Sequence, residues 1–418
     1  MMSTLPKLKG LPLPRNPAGM PPNMADALAM VRQGRMQEAS ELLMGKRNND
    51  ALTPRQAAPT QTQPSARVSD FAARGLASVQ DVMSKLNLGE WPTSVTPLRT
   101  DAAQAAAKHR QGPTTQNPSE PGRFERVAFT HHRTSHPYFL YTPKTVAPDG
   151  ARPLVMMLHG CTQDAQDFAR GTRMNAIAEA AGALVLYPTQ TQSANANGCW
   201  NWFRPEDQQA GAGEPALLLA MVQHAMQAQA VDADRVFVAG LSAGGAMAAV
   251  LAQQYPDVFA AVGVHSGLPA GAATSMMGAL SAMKSGAKGW SPRVTKGVTR
   301  VVPMIVLHGD ADSTVSHRNA EQLLQSSVAD IANTVHTQEQ GVSSDGQRYT
   351  RTCVVDPLVP AEVVAEQWLL HGAGHVWSGG DSRGSHASER GVDASAEMLR
   401  FFLANPKVGA AAPLARVA

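Results

Sequence analysis

Cysteine is scarce in this chain of 418 residues: Cys161, Cys199 and Cys353 are all it has. Three cysteines are too few for a disulfide-rich scaffold, and the odd number leaves at least one thiol without an intramolecular partner. Long apolar runs are also missing, and none approaches the ~20 residues of a membrane-spanning helix. Lys+Arg (36) and Asp+Glu (33) nearly cancel to a formal net charge of +3, with no dense basic run. Charge alone therefore gives no sign of binding to nucleic acid or an anionic membrane. The opening stretch MMSTLPKLKGLPLPRNPAGMPP carries early lysines but no continuous apolar segment, and prolines follow soon after. It does not read as a secretory signal. These absences favour a cytoplasmic protein.

What is present divides the chain in two. Residues 1–122 are rich in Pro, Gln, Ala, Ser and Thr, and LTPRQAAPTQTQPSAR reads as a flexible linker. Islands of helical spacing interrupt it. Met24, Leu28 and Val31 continue into Ala39, Leu42 and Leu43, and Phe71, Val79, Val82, Met83 and Leu86 form a second stripe. The expectation is a partly disordered extension with two or three amphipathic helices, able to dock on a core or contact a partner or a granule. A flexible tail is expected over 406–418.

Between them, 123–405 reads as one α/β domain. RVAFTHH and SHPYFLYTP suit paired strands around a turn. PLVMMLHG, ALVLYP, RVFVAG, AAVGVHSG and PMIVLHGD are short apolar runs, each closed by Gly or Pro or by a turn, with helix-patterned segments such as 168–181, 215–230 and 243–255 between most of them. This alternation predicts a mostly parallel central sheet with helices on both faces. Function in such sheets collects at the carboxyl ends of the strands.

Chemistry is concentrated in RVFVAGLSAGGAMAAV, where a strand passes into a helix through Gly240-Leu241-Ser242-Ala243-Gly244. Glycine two before and two after a serine, at such a turn, is the nucleophile elbow. An elbow requires an acid and then a histidine later in the chain. After PMIVLHGDADSTV come Asp310 and Asp312. Asp312 is the expected acid, since Asp310 directly follows Gly309 and suits shaping of the turn. His375, in the glycine-rich loop after VVAEQWLL, is the expected base. His317 comes too early, His371 ends the strand, and His386 lies farther on; His159 precedes the serine. The oxyanion hole is expected from the N–H groups of Ala243 and of Cys161 in LHGCTQ. Acyl transfer by such a serine needs no metal or organic cofactor, and the histidines and cysteines show no tight ligand spacing for a metal.

LHGCTQDAQDFARGTRMNAIA, CWNWF, DADRVFVAGLSAGGAMAAVLAQQYPDVFAAVGVHSGLPAGAA and GAGHVWSGG resemble the polyhydroxybutyrate depolymerase family of esterases. That family is related to feruloyl and acetylxylan esterases of the α/β-hydrolase class. The resemblance covers about 124–403. It implies an α/β-hydrolase fold, a Ser242–Asp312–His375 triad and hydrolysis of short hydroxyacid polyesters. The alternatives are a plant-wall esterase with the same triad, or a non-catalytic granule-binding protein. Many family members are extracellular, which stands against the cytoplasmic expectation.

Beside that resemblance, Cys161 and Cys199 can be joined as a disulfide between two site loops, or stand as buried thiols. Trp200, Trp202 and Trp377 can line a substrate pocket or seal the core. The segment 271–290 suits a lid or a plain surface helix. Cys353 reads as a core residue.

Overall fold

The computed structural model describes residues 121–407, apart from 146–149, 293–299, 330, 332 and 358–362. The helical islands expected in the N-terminal extension, its partner contacts and most of the expected C-terminal tail lie outside the described residues.

Twelve strands alternate with seven α-helices in the described chain. A small hairpin, β2 (Thr130–His131) and β3 (Thr134–Ser135), stands apart from the main sheet. The other ten are β1 (Arg123–Val127), β4 (Tyr138–Thr142), β5 (Arg152–Leu158), β6 (Leu184–Pro188), β7 (Val231–Leu241), β8 (Ala261–His265), β9 (Met304–Gly309), β10 (Val335–Val342), β11 (Arg348–Val355) and β12 (Val363–Leu370). Their order is β1-β4-β6-β5-β7-β8-β9-β12-β11-β10. The six strands from β6 to β12 run parallel, and antiparallel pairs flank them on both sides.

Helices cover both faces, as the apolar strands require. They are α1 (Ala165–Thr172), α2 (Met174–Ala181), α3 (Gly213–Ala228), α4 (Ala243–Gln254), α5 (Met276–Ser285), α6 (Arg318–Ser327) and α7 (Ala394–Ala404). Alternate residues of β5 serve opposite cores. Leu154, Met156 and Leu158 join α3, α4 and α6 on one face, while Val155 and Met157 join α1, α2 and α7 on the other. Phe237 of β7 stacks on Phe402 of α7 at 5.0 Å. Each large apolar side chain buried in this way contributes about 1.5–3 kcal/mol.

The helix expected over 168–181 is two helices. Arg173, at φ 56°, ends α1 and begins α2. The reason lies in the neighbouring loop: Gly171 O accepts the Asp381 N–H at 2.8 Å and Thr172 O accepts the Ser395 hydroxyl at 2.6 Å. The chain breaks where it must dock on distant residues. Among the described residues, no helix is long and apolar enough to cross a membrane.

Candidate active site

Parallel pairing brings the carboxyl ends of β5, β7, β8, β9 and β12 to one edge of the sheet. Ser242 sits there between β7 and α4 at φ 57°, ψ −118°, a conformation that L side chains rarely adopt. Its N–H donates to His265 O at 2.9 Å, which fixes the turn to β8. The flanking glycines are sterically required. A Cβ at Gly240 would strike the Gly244 backbone, and one at Gly244 would strike the Leu158 and His159 carbonyls. Helix α4 is buried from Ala243 through Ala252, and its small residues admit this close approach. Ala243 opens the helix, so its N–H is one of those without an intrahelical acceptor.

The loop after β9 carries the two acids, and the structure gives each its own histidine. Asp312 is fully buried. Its Oδ1 accepts the N–H groups of Thr314 (2.9 Å) and Val315 (2.8 Å). Its Oδ2 lies 2.6 Å from His375 Nδ1 and 3.4 Å from His308 Nε2. Burial opposes ionisation here, but His308 and His375 outweigh it and hold the carboxyl well below the usual carboxylate range. An ionised Asp312 makes His375 Nδ1 the donor and leaves Nε2 available to a substrate. His375 is 14 % exposed. Asp310 instead accepts from Gly372 N–H at 2.7 Å and pairs with His371 Nδ1 at 2.8 Å, which closes the root of the loop after β12. His317 caps the start of α6, and half-buried His386 accepts the Trp377 N–H on its carbonyl.

Two further histidines were not singled out from the sequence, because they read as the ends of apolar strands. His308, fully buried on β9, bonds Val315 O through Nε2 at 2.8 Å. His265 ends β8, accepts the Ser378 N–H on Nε2 at 3.2 Å and stacks on Trp377 at 5.2 Å. Burial, together with the charges of His308 and His375, pushes its pKa down to about 3, so it is neutral at every ordinary pH. It anchors the loop that carries His375. A histidine at a strand end just before a Ser or Gly is the one signal that marked it.

The loop after β5 is tied down on several sides. Buried His159 is neutral because desolvation lowers its pKa; Nδ1 bonds Gly160 O at 2.8 Å and Nε2 accepts the Gln190 N–H at 3.1 Å. Gly160 N–H is committed to Gln163 Oε1 and Thr162 N–H to Asn197 O, with the Cys161 N–H between them. Cys161 is disulfide-bonded to Cys199. The bond fastens this loop to the one bearing Trp200 and Asn201. Replacing both cysteines by serine is expected to cost about 2–4 kcal/mol of stability. It should also lower kcat more than it raises KM, because loop position matters most when charge develops on the substrate. Urea unfolding and p-nitrophenyl butyrate kinetics of the double variant check this; an unchanged kcat would remove the loop from the chemistry.

Behind these loops, Glu214 at the start of α3 is a buried carboxyl that sequence reading missed. It accepts from Asn201 N–H (2.7 Å), Asn201 Nδ2 (2.5 Å) and Gln190 Nε2 (2.5 Å). Three donors favour the ionised form, yet exclusion of water, with Asp207 nearby, pushes the carboxyl up to about 7. The folded protein thus keeps this proton at pH values where the unfolded chain, near 4.5, has lost it. The stability contributed by that proton is complete below about 4.5 and declines as pH rises toward about 7, by about 3 kcal/mol. Urea unfolding of wild type and Glu214→Gln across that range should show the wild-type advantage shrinking with pH. A growing advantage would mean that the anchor is already ionised.

The tryptophans require a correction. Trp200 (1 % exposed), Trp202 (5 %) and Trp377 (1 %) are packed into the two cores rather than presented to a substrate. Trp200 Nε1 donates to His159 O at 3.1 Å and Trp377 Nε1 to Ser395 Oγ at 3.2 Å. Their polar edges are satisfied inside, so they hold the site loops from beneath. Cys353 is a half-buried thiol on β11 rather than a deep core residue. Segment 271–290 contains α5, whose Met276 and Met277 are exposed. Among the described residues, no cluster of three or more His, Cys, Asp or Glu side chains can hold a metal.

This sheet order, with a strained serine at the turn after one central strand and a buried Asp–His pair supplied by the loops after two others, is that of the α/β-hydrolase class. The family model described as esterase PHB depolymerase matches residues 136–339. Feruloyl esterase B of Thermothelomyces thermophilus is 30 % identical over 237 residues, 53 % of this chain and 79 % of that protein. The chain belongs to this esterase PHB depolymerase family. Poly(3-hydroxyalkanoate) depolymerase C of Paucimonas lemoignei is 36 % identical over 181 residues, 41 % of this chain, and the chain spans only 44 % of that depolymerase's length. The fold is shared with the acetyl xylan esterase from Aspergillus awamori, at a TM-score of 0.52 and 20 % identity over 67 % of this chain and 99 % of that one.

Proposed function

We propose that the protein is a serine esterase that hydrolyses poly(3-hydroxybutyrate) or related short hydroxyacid polyesters and oligomers. The observation that carries the reading is the 2.6 Å contact between buried Asp312 and His375 Nδ1, at the sheet edge where Ser242 is held in its strained turn. In this reading Ser242 Oγ gives its proton to His375 Nε2 and attacks the ester carbonyl. The oxyanion accepts from the Ala243 and Cys161 N–H groups. The ester C–O bond breaks, His375 protonates the departing alcohol, and water then releases the acid by the same steps in reverse roles. His375 carries the protons and Asp312 holds its tautomer. No cofactor takes part.

The polyester is favoured by the 36 % identity to the poly(3-hydroxyalkanoate) depolymerase. A feruloyl or acetylxylan esterase is the second reading, favoured by the fuller coverage of feruloyl esterase B. Release of soluble 3-hydroxybutyrate from amorphous polymer, measured beside hydrolysis of methyl ferulate and acetylated xylan, separates them. Polymer inert while a plant-wall ester is cleaved would overturn the polyester and keep the triad. On location, the Cys161–Cys199 bond favours the extracellular alternative over the cytoplasm, since disulfides persist where the surroundings oxidise.

A further inference from the structure

A cleft of about 540 Å³ opens beside the loop that carries His375. Gly374 and Val376, the two neighbours of His375, are in its wall, facing Arg348 at the start of β11 and Arg390. The volume lies in the ordinary range of ligand sites. Its charges are unequally engaged. The Asp310 carboxylate is turned onto its own wall by Gly372 N–H and His371 Nδ1, and His371 Nε2 is bonded to Thr350. Arg390 is loosely paired with Asp345 at 3.6 Å and is 76 % exposed. Arg348 is exposed, and among the described residues it forms no ion pair. An uncommitted guanidinium in a cleft is suited to gripping a carboxylate through two parallel N–H···O bonds.

Chemistry says which carboxylate. In a chain of 3-hydroxyacids, the departing alcohol is the portion that carries the free carboxyl terminus. The group that protonates that alcohol is, in the reading above, His375. The leaving portion therefore lies on the His375 side of the nucleophile, toward this cleft. Ser242 follows β7, whereas the cleft is built at the ends of β12 and β11, three and four strands away in the sheet. At ~4.8 Å per strand this is about 14–19 Å, a span of several hydroxyacid units.

We propose that the Arg348 cleft is the leaving-group subsite, and that it binds the terminal carboxylate of a hydroxyacid oligomer. This rests on the polyester reading. It makes the enzyme selective for soluble, acid-ended oligomers over chains whose end is blocked.

The test compares the 3-hydroxybutyrate tetramer as free acid with its methyl ester, and uses p-nitrophenyl butyrate as the reference for the triad. Wild-type kcat/KM should favour the free acid by about 10-fold, one bidentate charge-assisted contact. Arg348→Ala should bring that ratio to about 1, through KM rather than kcat, and Arg348→Lys should recover part of it. Equal cleavage of both tetramers by wild type, or an equal loss on both in Arg348→Ala, overturns the subsite alone. Cleavage of p-nitrophenyl butyrate with neither tetramer cleaved overturns the polyester reading, and the subsite with it.

Discussion

Ser242→Ala is expected to lower kcat/KM for p-nitrophenyl butyrate by about 10,000- to 1,000,000-fold while leaving the fold in place. The argument is local. Alanine keeps the Cβ and removes one oxygen from a residue that is 9 % exposed. Its backbone must still adopt φ 57°, so the strain at the elbow is the same before and after. The bonds that hold the turn, Ser242 N–H to His265 O and Ala246 N–H to Ser242 O, are made by the main chain and survive. Stability should therefore change by no more than about 1 kcal/mol, so a large activity loss reports chemistry. Steady-state turnover together with a thermal melt decides it. A variant that melts normally and keeps a tenth of its activity would mean that another residue is the nucleophile.

The readable parts of the sequence were those where one physical constraint dominates. Strands buried on both faces are uniformly apolar, so β5, β6, β8 and β9 stood out. The elbow stood out because both positions must be glycine: backbone atoms at the end of β5 and the start of α4 leave no room for a side chain. The order of acid and base then pointed to Asp312 and His375, which the fold does bring into contact. The hairpin of β10 and β11 did not stand out. VHTQEQGV is exposed along nearly its whole length and has no apolar alternation, and only pairing with β11 makes it a strand. Glu214 was hidden for the opposite reason. Its neighbours in sequence are Gly213 and Pro215, while its partners Gln190 and Asn201 are distant and polar, so no periodicity marks it. The tryptophans were readable as important but not as buried, since a ring beside a glycine loop has the same sequence whether it faces a ligand or a core.

Asp312→Asn should cost about 10,000-fold in kcat, and its cause differs from that of the serine change. The aspartate accepts three donors, two main-chain N–H groups on Oδ1 and the His375 ring on Oδ2, with His308 Nε2 a further 3.4 Å contact. An asparagine has only one acceptor oxygen to offer them. If that oxygen stays with Thr314 and Val315, its amide N–H₂ faces His375 Nδ1, which must then become the acceptor. The ring proton moves to Nε2, and the base presented to Ser242 is lost. If the amide turns over, two main-chain donors are left buried against N–H₂, at a cost of about 1–3 kcal/mol each. Hydrogen-bond counting thus predicts a folded but inactive enzyme in the first arrangement and a destabilised one in the second. Kinetics with a urea titration of the same sample tell them apart. Near-normal kcat in a stable variant would mean that Asp312 only caps its turn, and that the Asp310–His371 pair, 2.8 Å apart, must be reconsidered as the acid–base couple.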